Sequence, residues 1–242
     1  MGFDLSLFTA LLGFPFLYVL IFYLSSPKKS ISIKDGLKAI AMGLLSTVLL
    51  HFNYAFFPPE NLECMGTFQK YFYQIAVREE TSKFLAFWLL ITYSLKGPRH
   101  PLSYMFLSSM VGLGFAIEEN LLYKFQFGIE ILQVRNFTST FAHMFFGAFL
   151  GYWYSMGKIM LKSSAVNNIK HFLVKWPGIF QTFYIIIGLL SGIIYHGLWN
   201  YNLATSAWAA QSTMILMIFI GFGVSIAMAK NLIRHYKEVG KV

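Results

Sequence analysis

Seven apolar runs limit what this chain can become. Each is long enough to form a helix across a hydrocarbon core about 30 Å thick. They cover approximately residues 4–24, 35–57, 68–95, 102–127, 138–158, 178–202 and 206–230. Most intervening stretches carry Pro, Gly or charge, as in Ser25-Ser26-Pro27-Lys28-Lys29, Pro58-Pro59-Glu60-Asn61 and Lys96-Gly97-Pro98-Arg99, and read as loops. Gly128 to Asn136, Lys158 to Gly178 and Tyr201 to Ala207 are expected to be loops as well. Only 12% of residues are charged, half the roughly 25% of a soluble domain, and mean hydropathy is +0.58. The expected fold is an all-α polytopic membrane protein with about seven transmembrane helices. Nothing divides the chain, so residues 1–242 are expected to form one helical transmembrane domain, whose core is expected at about 68–202.

The net charge of +9 would suit nucleic acid only if the basic residues formed one clustered face. They fall instead in short runs between apolar segments, which is a topology signal. Lys28, Lys29, Lys34, Lys38, Lys96, Arg99, Lys158, Lys162, Lys170, Lys175, Lys230, Arg234, Lys237 and Lys241 all lie on one side. That asymmetry puts the N-terminus outside and the C-terminus inside, which an odd number of spans satisfies. The first run has Asp4 where a signal peptide would carry basic residues, and is too long for one. Cys64 is the single cysteine and excludes an intrachain disulfide or a cysteine-based zinc site. Met1-Gly2 with Ser6, and Asn136-Phe137-Thr138, match short lipidation and glycosylation patterns that arise often by chance.

The third run contradicts its own hydropathy. Within it, Arg78-Glu79-Glu80-Thr81-Ser82-Lys83 puts four ionisable residues where each charge costs roughly 2.5–3.5 kcal/mol at a membrane helix centre. Such residues face a polar interior and mark function. At 1.5 Å per residue, Glu79 lies about 16 Å from the outer end of its run and Glu119 about 12 Å from the outer end of the fourth. His143 and His196 each fall about 8 Å from the outer ends of the fifth and sixth runs. Four helices thus bring carboxylates, imidazoles and Asn200 to the outer half of the bilayer.

Spacing sharpens this. Gly188, Gly192, His196 and Asn200 share one helix face, as do His143, Gly147 and Gly151, and small residues on such stripes let membrane helices approach closely. Glu80 and Lys83 are an i, i+3 pair, which reads most simply as an intramembrane ion pair that leaves Glu79 free for chemistry. Lone His or Asn residues in membrane helices are often interhelical glue. His51 has that reading, and His100, His171 and His235 look solvated. Arg78 either pairs with Glu118 or Glu119 or snorkels outward. Glu79, Glu80, Glu119, His143, His196 and Asn200 taken together point to a site.

Glu79-Glu80-x-x-Lys83, Gly114-Phe115-x-x-x-Glu119-Asn120, His143 with Gly147, and His196-x-x-x-Asn200 resemble, in this order, the motifs of the PrsW family of intramembrane proteases. That family is related to the CAAX-prenyl and bacteriocin-processing proteases. The resemblance spans about Arg78 to Asn200. It implies cleavage of membrane-anchored proteins, such as an anti-sigma-factor-like regulator, near the extracytoplasmic side of a bacterial or archaeal plasma membrane. By that likeness Glu79 activates water, His143 helps hold it, and His196 with Asn200 stabilises the oxyanion. Glu80 pairs with Lys83, and Glu119 orients a histidine or moves a proton. Asn120 and Arg135 support the site. Glu118 adjoins it with no role carried over.

The expected enzyme is a metal-independent glutamate-type endopeptidase needing no cofactor. A variant holds zinc or another divalent ion through the histidines and glutamates, although no His-Glu-x-x-His motif is present. From a different class, a proton-coupled transporter or channel would use the Glu/His cluster as a relay. Against it, the ionisable groups share one depth and line no path across the membrane. The expected partners are a membrane-anchored protein substrate and the lipid bilayer, with no nucleic acid.

Overall fold

The computed structural model describes residues 15–16, 18–20, 22–24, 31–58, 65–95, 99–166, 177–205 and 209–239. Most of the first apolar run, Cys64 and the Met1-Gly2 pattern lie outside the described residues. Among those described, regular structure is helical throughout. α1 is Ile33–Phe56. A turn at Thr67–Gln69 leads through π-helical Lys70–Val77 into α2, Arg78–Leu89, and π-helical Leu90–Ser94. α3 is Pro101–Phe127, α4 Ile131–Phe137, α5 Ser139–Val166, α6 Pro177–Thr205 and α7 Ala209–Val239.

Local chemistry sets several ends. Ser32 caps α1 by accepting from the Asp35 N–H at 3.3 Å. Pro101 starts α3 where a missing N–H costs nothing, and the His100 Nδ1 accepts from Leu102 N at 3.2 Å. That bond needs an unprotonated ring, and burial pushes the His100 pKa below its ordinary value. Gly128 ends α3 at φ +90°, where a Cβ would be strained.

Three expected loops are shorter than the sequence suggests. α5 runs on to Val166 and α6 to Thr205. The stretch Gly128 to Asn136 is not simply a loop, because it contains most of α4. Apolar Ile131, Leu132 and Val134 lie on its few turns, and Leu132 is fully buried.

Ile33–Phe56, Pro101–Phe127, Gly178–Thr205 and Ser212–Val239 are long and apolar enough to cross a membrane. The other two long helical stretches, Thr67 through Ser94 and Ser139–Val166, carry the polar residues described below. α6 shows what the outer surface meets. Ile179, Phe183, Ile186, Leu190, Ile194 and Leu198 recur at helical spacing and are all exposed, as a lipid-facing stripe requires.

α3 is the centre of the bundle. Apart from Tyr104, its residues from Pro101 to Ala116 are buried. Membrane helices gain little from excluding water from each other, so they hold together through close packing. Gly112 abuts the His143 carbonyl of α5, and Gly147 of α5 abuts the Ser108 carbonyl of α3. This contact fixes His143 relative to the α3 residues one turn above. A side chain at Gly112 would overlap that carbonyl oxygen. Gly112→Val is therefore expected to cost at least about 3 kcal/mol, the upper end for overpacking. An unfolding midpoint in detergent equal to that of the wild type would refute this packing account.

Candidate active site

The charged turn Arg78–Lys83 lies between two π-helical segments. Such segments add a residue to a turn, disturb the regular hydrogen bonding, and occur often at functional sites. α2 turns Glu79, Glu80, Ser82 and Lys83 into the bundle. Lys83 and His143 are each 3% exposed and His196 2%, so these groups are removed from lipid and from water alike.

Their hydrogen bonds fix most of the protons. Lys83 Nζ donates to Glu80 Oε1 at 2.7 Å and contacts His143 Nδ1 at 2.9 Å. An ammonium can only donate, so His143 Nδ1 accepts and the ring hydrogen sits on Nε2. That Nε2–H donates to Glu119 Oε2 at 2.9 Å. On the other side, Glu80 Oε1 is 2.7 Å from His196 Nδ1. A carboxylate beside a lysine accepts, so His196 carries a hydrogen on Nδ1, and when the ring is neutral its lone pair is on Nε2. That lone pair faces Glu79 Oε2 at 3.8 Å. Glu79 Oε2 is buried and makes no hydrogen bond, while Lys83 Nζ lies 3.7 Å from it.

Aromatic rings enclose the cluster. Phe115 lies under Lys83 Nζ at 4.2 Å, and Phe146 stacks on His196 with centroids 4.8 Å apart. Low polarity around the cluster strengthens each charge–charge contact and makes any unpaired group costly. Three carboxyl groups, Glu79, Glu80 and Glu119, meet two permanent or near-permanent cations, Lys83 and Arg135, at this cluster.

A second network holds Glu119 from above. Arg135 donates through Nη2 to Glu119 Oε2 at 2.6 Å and through Nε to Asn120 Oδ1 at 2.8 Å. Its guanidinium lies 3.6 Å from the Tyr123 ring centroid. Asn120 donates to Thr140 at 2.8 Å and to Asn136 at 3.4 Å. The buried Asn136 side chain is thus committed inside the protein, so its sequon is not available for glycosylation in the folded state. Ser139, Thr140 and Tyr123 escaped the sequence reading. For Ser139 and Thr140 the signal was the polar run Arg135-Asn136-x-x-Ser139-Thr140 at helical spacing, which straddled the expected loop and the start of the fifth apolar run.

The cluster is the floor of a cavity of about 480 Å³ lined by Glu79, Glu119, His143, His196 and Asn200, with Tyr54, Tyr71, Tyr123 and Trp199 among its walls. Asn200 makes no side-chain hydrogen bond among the described residues. Glu118, half-buried, forms no ion pair among them. Arg78 reaches outward, donating to the Phe57 carbonyl at 2.5 Å and lying 4.9 Å from the Tyr54 ring. His51 bonds to the Thr47 carbonyl at 2.7 Å within its own helix.

A family model described as PrsW family intramembrane metalloprotease matches residues 37–227. The chain belongs to the PrsW family. It is an integral membrane protein, and membership in PrsW makes it a membrane protease. No curated protein and no solved structure matches it. The PrsW description names a metal, and Glu79, His143 and His196 each offer a ligand atom, all within 4.8 Å of one another. Two histidines and one carboxylate form a donor set of the kind that holds catalytic zinc. Glu79 Oε2 and His196 Nε2 are free to ligate. His143 is not, until it gives up a bond to Lys83 or Glu119.

Proposed function

We propose that this protein is an intramembrane endopeptidase that hydrolyses membrane-anchored proteins in the outer half of the bilayer, at the cavity floored by Glu79, His143 and His196. Seven spans, with the N-terminus outside and the C-terminus inside, complete the proposed topology. A regulator of the anti-sigma-factor kind in a bacterial or archaeal plasma membrane is the substrate class inferred from PrsW. The observation that carries the reading is the pair Glu79 Oε2 and His196 Nε2. A buried carboxylate oxygen with no hydrogen bond and an imidazole nitrogen thus lie 3.8 Å apart on the floor of a cavity.

Such a pair can take up a proton from water or share a cation. In the metal-holding reading, Glu79, His143 and His196 would hold a divalent ion, which would supply Lewis acidity toward the scissile carbonyl and water. Residues of the chain do the rest. Glu80 holds the His196 Nδ1–H so that Nε2 points into the cavity, the arrangement that metal-binding histidines use. Arg135 fixes Glu119, and Glu119 fixes His143. Phe115 and Phe146 keep bulk water from the charged groups. The tautomer of His196 fits a ligand better than the oxyanion donor expected from the sequence, which leaves Asn200 as the free donor on the cavity wall.

One observation favours a metal-free alternative. Both nitrogens of His143 are engaged, and Lys83 already brings a cation to 3.7 Å from Glu79. There Glu79 is the general base that takes the proton of the attacking water. Cleavage of single-pass model substrates by protein with measured zinc content, before and after a strong chelator, separates the two. Loss on chelation with recovery on adding zinc supports the metal. Full activity in metal-depleted protein supports Glu79 as base.

A relay for proton transport is poorly supported. Beneath Lys83 the bundle is filled by Phe87, Leu90, Leu102 and Met105, all buried, which offer a proton no path. The fixing role of Arg135 has its own test. Arg135→Gln is expected to lower cleavage about 10–100-fold, as loss of a group orienting a site ligand does. Arg135→Lys should not restore it, since an ammonium cannot reach Glu119 and Asn120 with one planar fork. Unchanged cleavage in both variants would remove Arg135 from the site.

A further inference from the structure

Pro101, at the start of α3, is eighteen residues from Glu119, so about 27 Å of helix separates the proteolytic site from the other end of the bundle. A second cavity, of about 340 Å³, opens there between the ends of α3, α5 and α7. Arg99, Lys158 and Lys162 line it together with Tyr104 and Tyr236. Lys158 and Lys162 are exposed, one turn apart on α5, and ion-paired with no described residue. Their ammonium groups lie 5.5 Å and 5.8 Å from the Tyr154 and Tyr236 ring centroids. Arg99 spends one nitrogen on Asp35 at 2.6 Å, while its Nε is buried without a hydrogen bond. Asp35 is also shared with Lys38 at 3.8 Å, and the nearby Glu238 is occupied by His235 at 3.1 Å. Positive charge is therefore in excess, and the N-terminal end of the long helix α3 adds to it.

We propose that this cavity binds the phosphate headgroup of an anionic lipid in the leaflet opposite the proteolytic site. The lysine and arginine asymmetry makes that the inner leaflet, where anionic lipid and basic pockets between helices meet. The guanidinium and the two ammonium groups take the phosphate oxygens. Tyr104, Tyr236 and Ile159 face the glycerol and the upper acyl chains.

Native mass spectrometry of the detergent-purified full chain, exchanged into micelles doped with phosphatidylglycerol or phosphatidylcholine, tests this. The wild type should retain phosphatidylglycerol at concentrations where phosphatidylcholine is lost. Lys158→Gln/Lys162→Gln should weaken retention about thirtyfold, from the contribution of two basic residues near an anionic surface. Lys34→Gln/Lys237→Gln removes the same charge from the same end outside the cavity and should retain lipid like the wild type. Equal retention of both lipids, or equal loss in the two double variants, overturns the proposal. Displacement of the lipid by millimolar inorganic phosphate would make the ligand a free phosphate and overturn the lipid assignment. Retention in the presence of phosphate supports it.

Discussion

Glu79→Gln is expected to lower cleavage about 10³–10⁴-fold while leaving the protein folded. The substitution keeps size and shape but turns the carboxylate into a neutral amide, with an NH2 in place of one oxygen. Oε2 makes no hydrogen bond, and Lys83 keeps its closer partner Glu80 at 2.7 Å, so the fold survives loss of the Glu79 charge. The lost function is large in either chemical reading, because Glu79 is either the base that accepts the proton from water or the anionic ligand of the ion. The two readings separate in metal content. Zinc stoichiometry falls in the variant if Glu79 is a ligand, and is unaffected if Glu79 acts only as base. Cleavage within tenfold of wild type would place the chemistry elsewhere.

Lys83→Met is expected to destabilise the protein by about 3–5 kcal/mol, the range for removing one partner of a buried ion pair. Lys83 is the cation between Glu80 at 2.7 Å and Glu79 at 3.7 Å, and it also supplies the hydrogen that fixes His143. Without it two carboxylates share a buried space with no nearby cation. Glu80→Gln in the same chain should restore much of the loss, with a coupling of about 2 kcal/mol in a double-mutant cycle read from unfolding in detergent. Strictly additive losses would mean that Lys83 contributes packing and no charge compensation.

Much of this arrangement is legible without coordinates because membrane burial makes polarity expensive. Glu79, Glu119, His143 and His196 each interrupt an apolar run, and rise per residue combined with the charge asymmetry led to the expectation that they share one depth. The structure brings these four together with Glu80 and Lys83. The small-residue stripe was legible too, since Gly147 and Gly151 lie where helix backbones touch. Three things were not legible. The π-helical segments around α2 depend on hydrogen bonds that apolar periodicity does not encode. α4 was hidden because Gly128, Glu130, Arg135 and Asn136 give a loop-like composition, although Leu132 and Asn136 are turned inward. The tautomers of His143 and His196 follow only from their partners, Lys83 on one ring and Glu80 on the other.

The most direct measurement maps the cut. Single-pass model substrates, reconstituted in liposomes with the wild type or with Glu79→Gln, are analysed by mass spectrometry of their new termini. New termini at the depth of Glu79, in the outer half of the membrane, made by the wild type and absent with Glu79→Gln, are the predicted result. Identical products from both proteins, or a Glu79-dependent proton current with no cleavage of any substrate, would contradict the account.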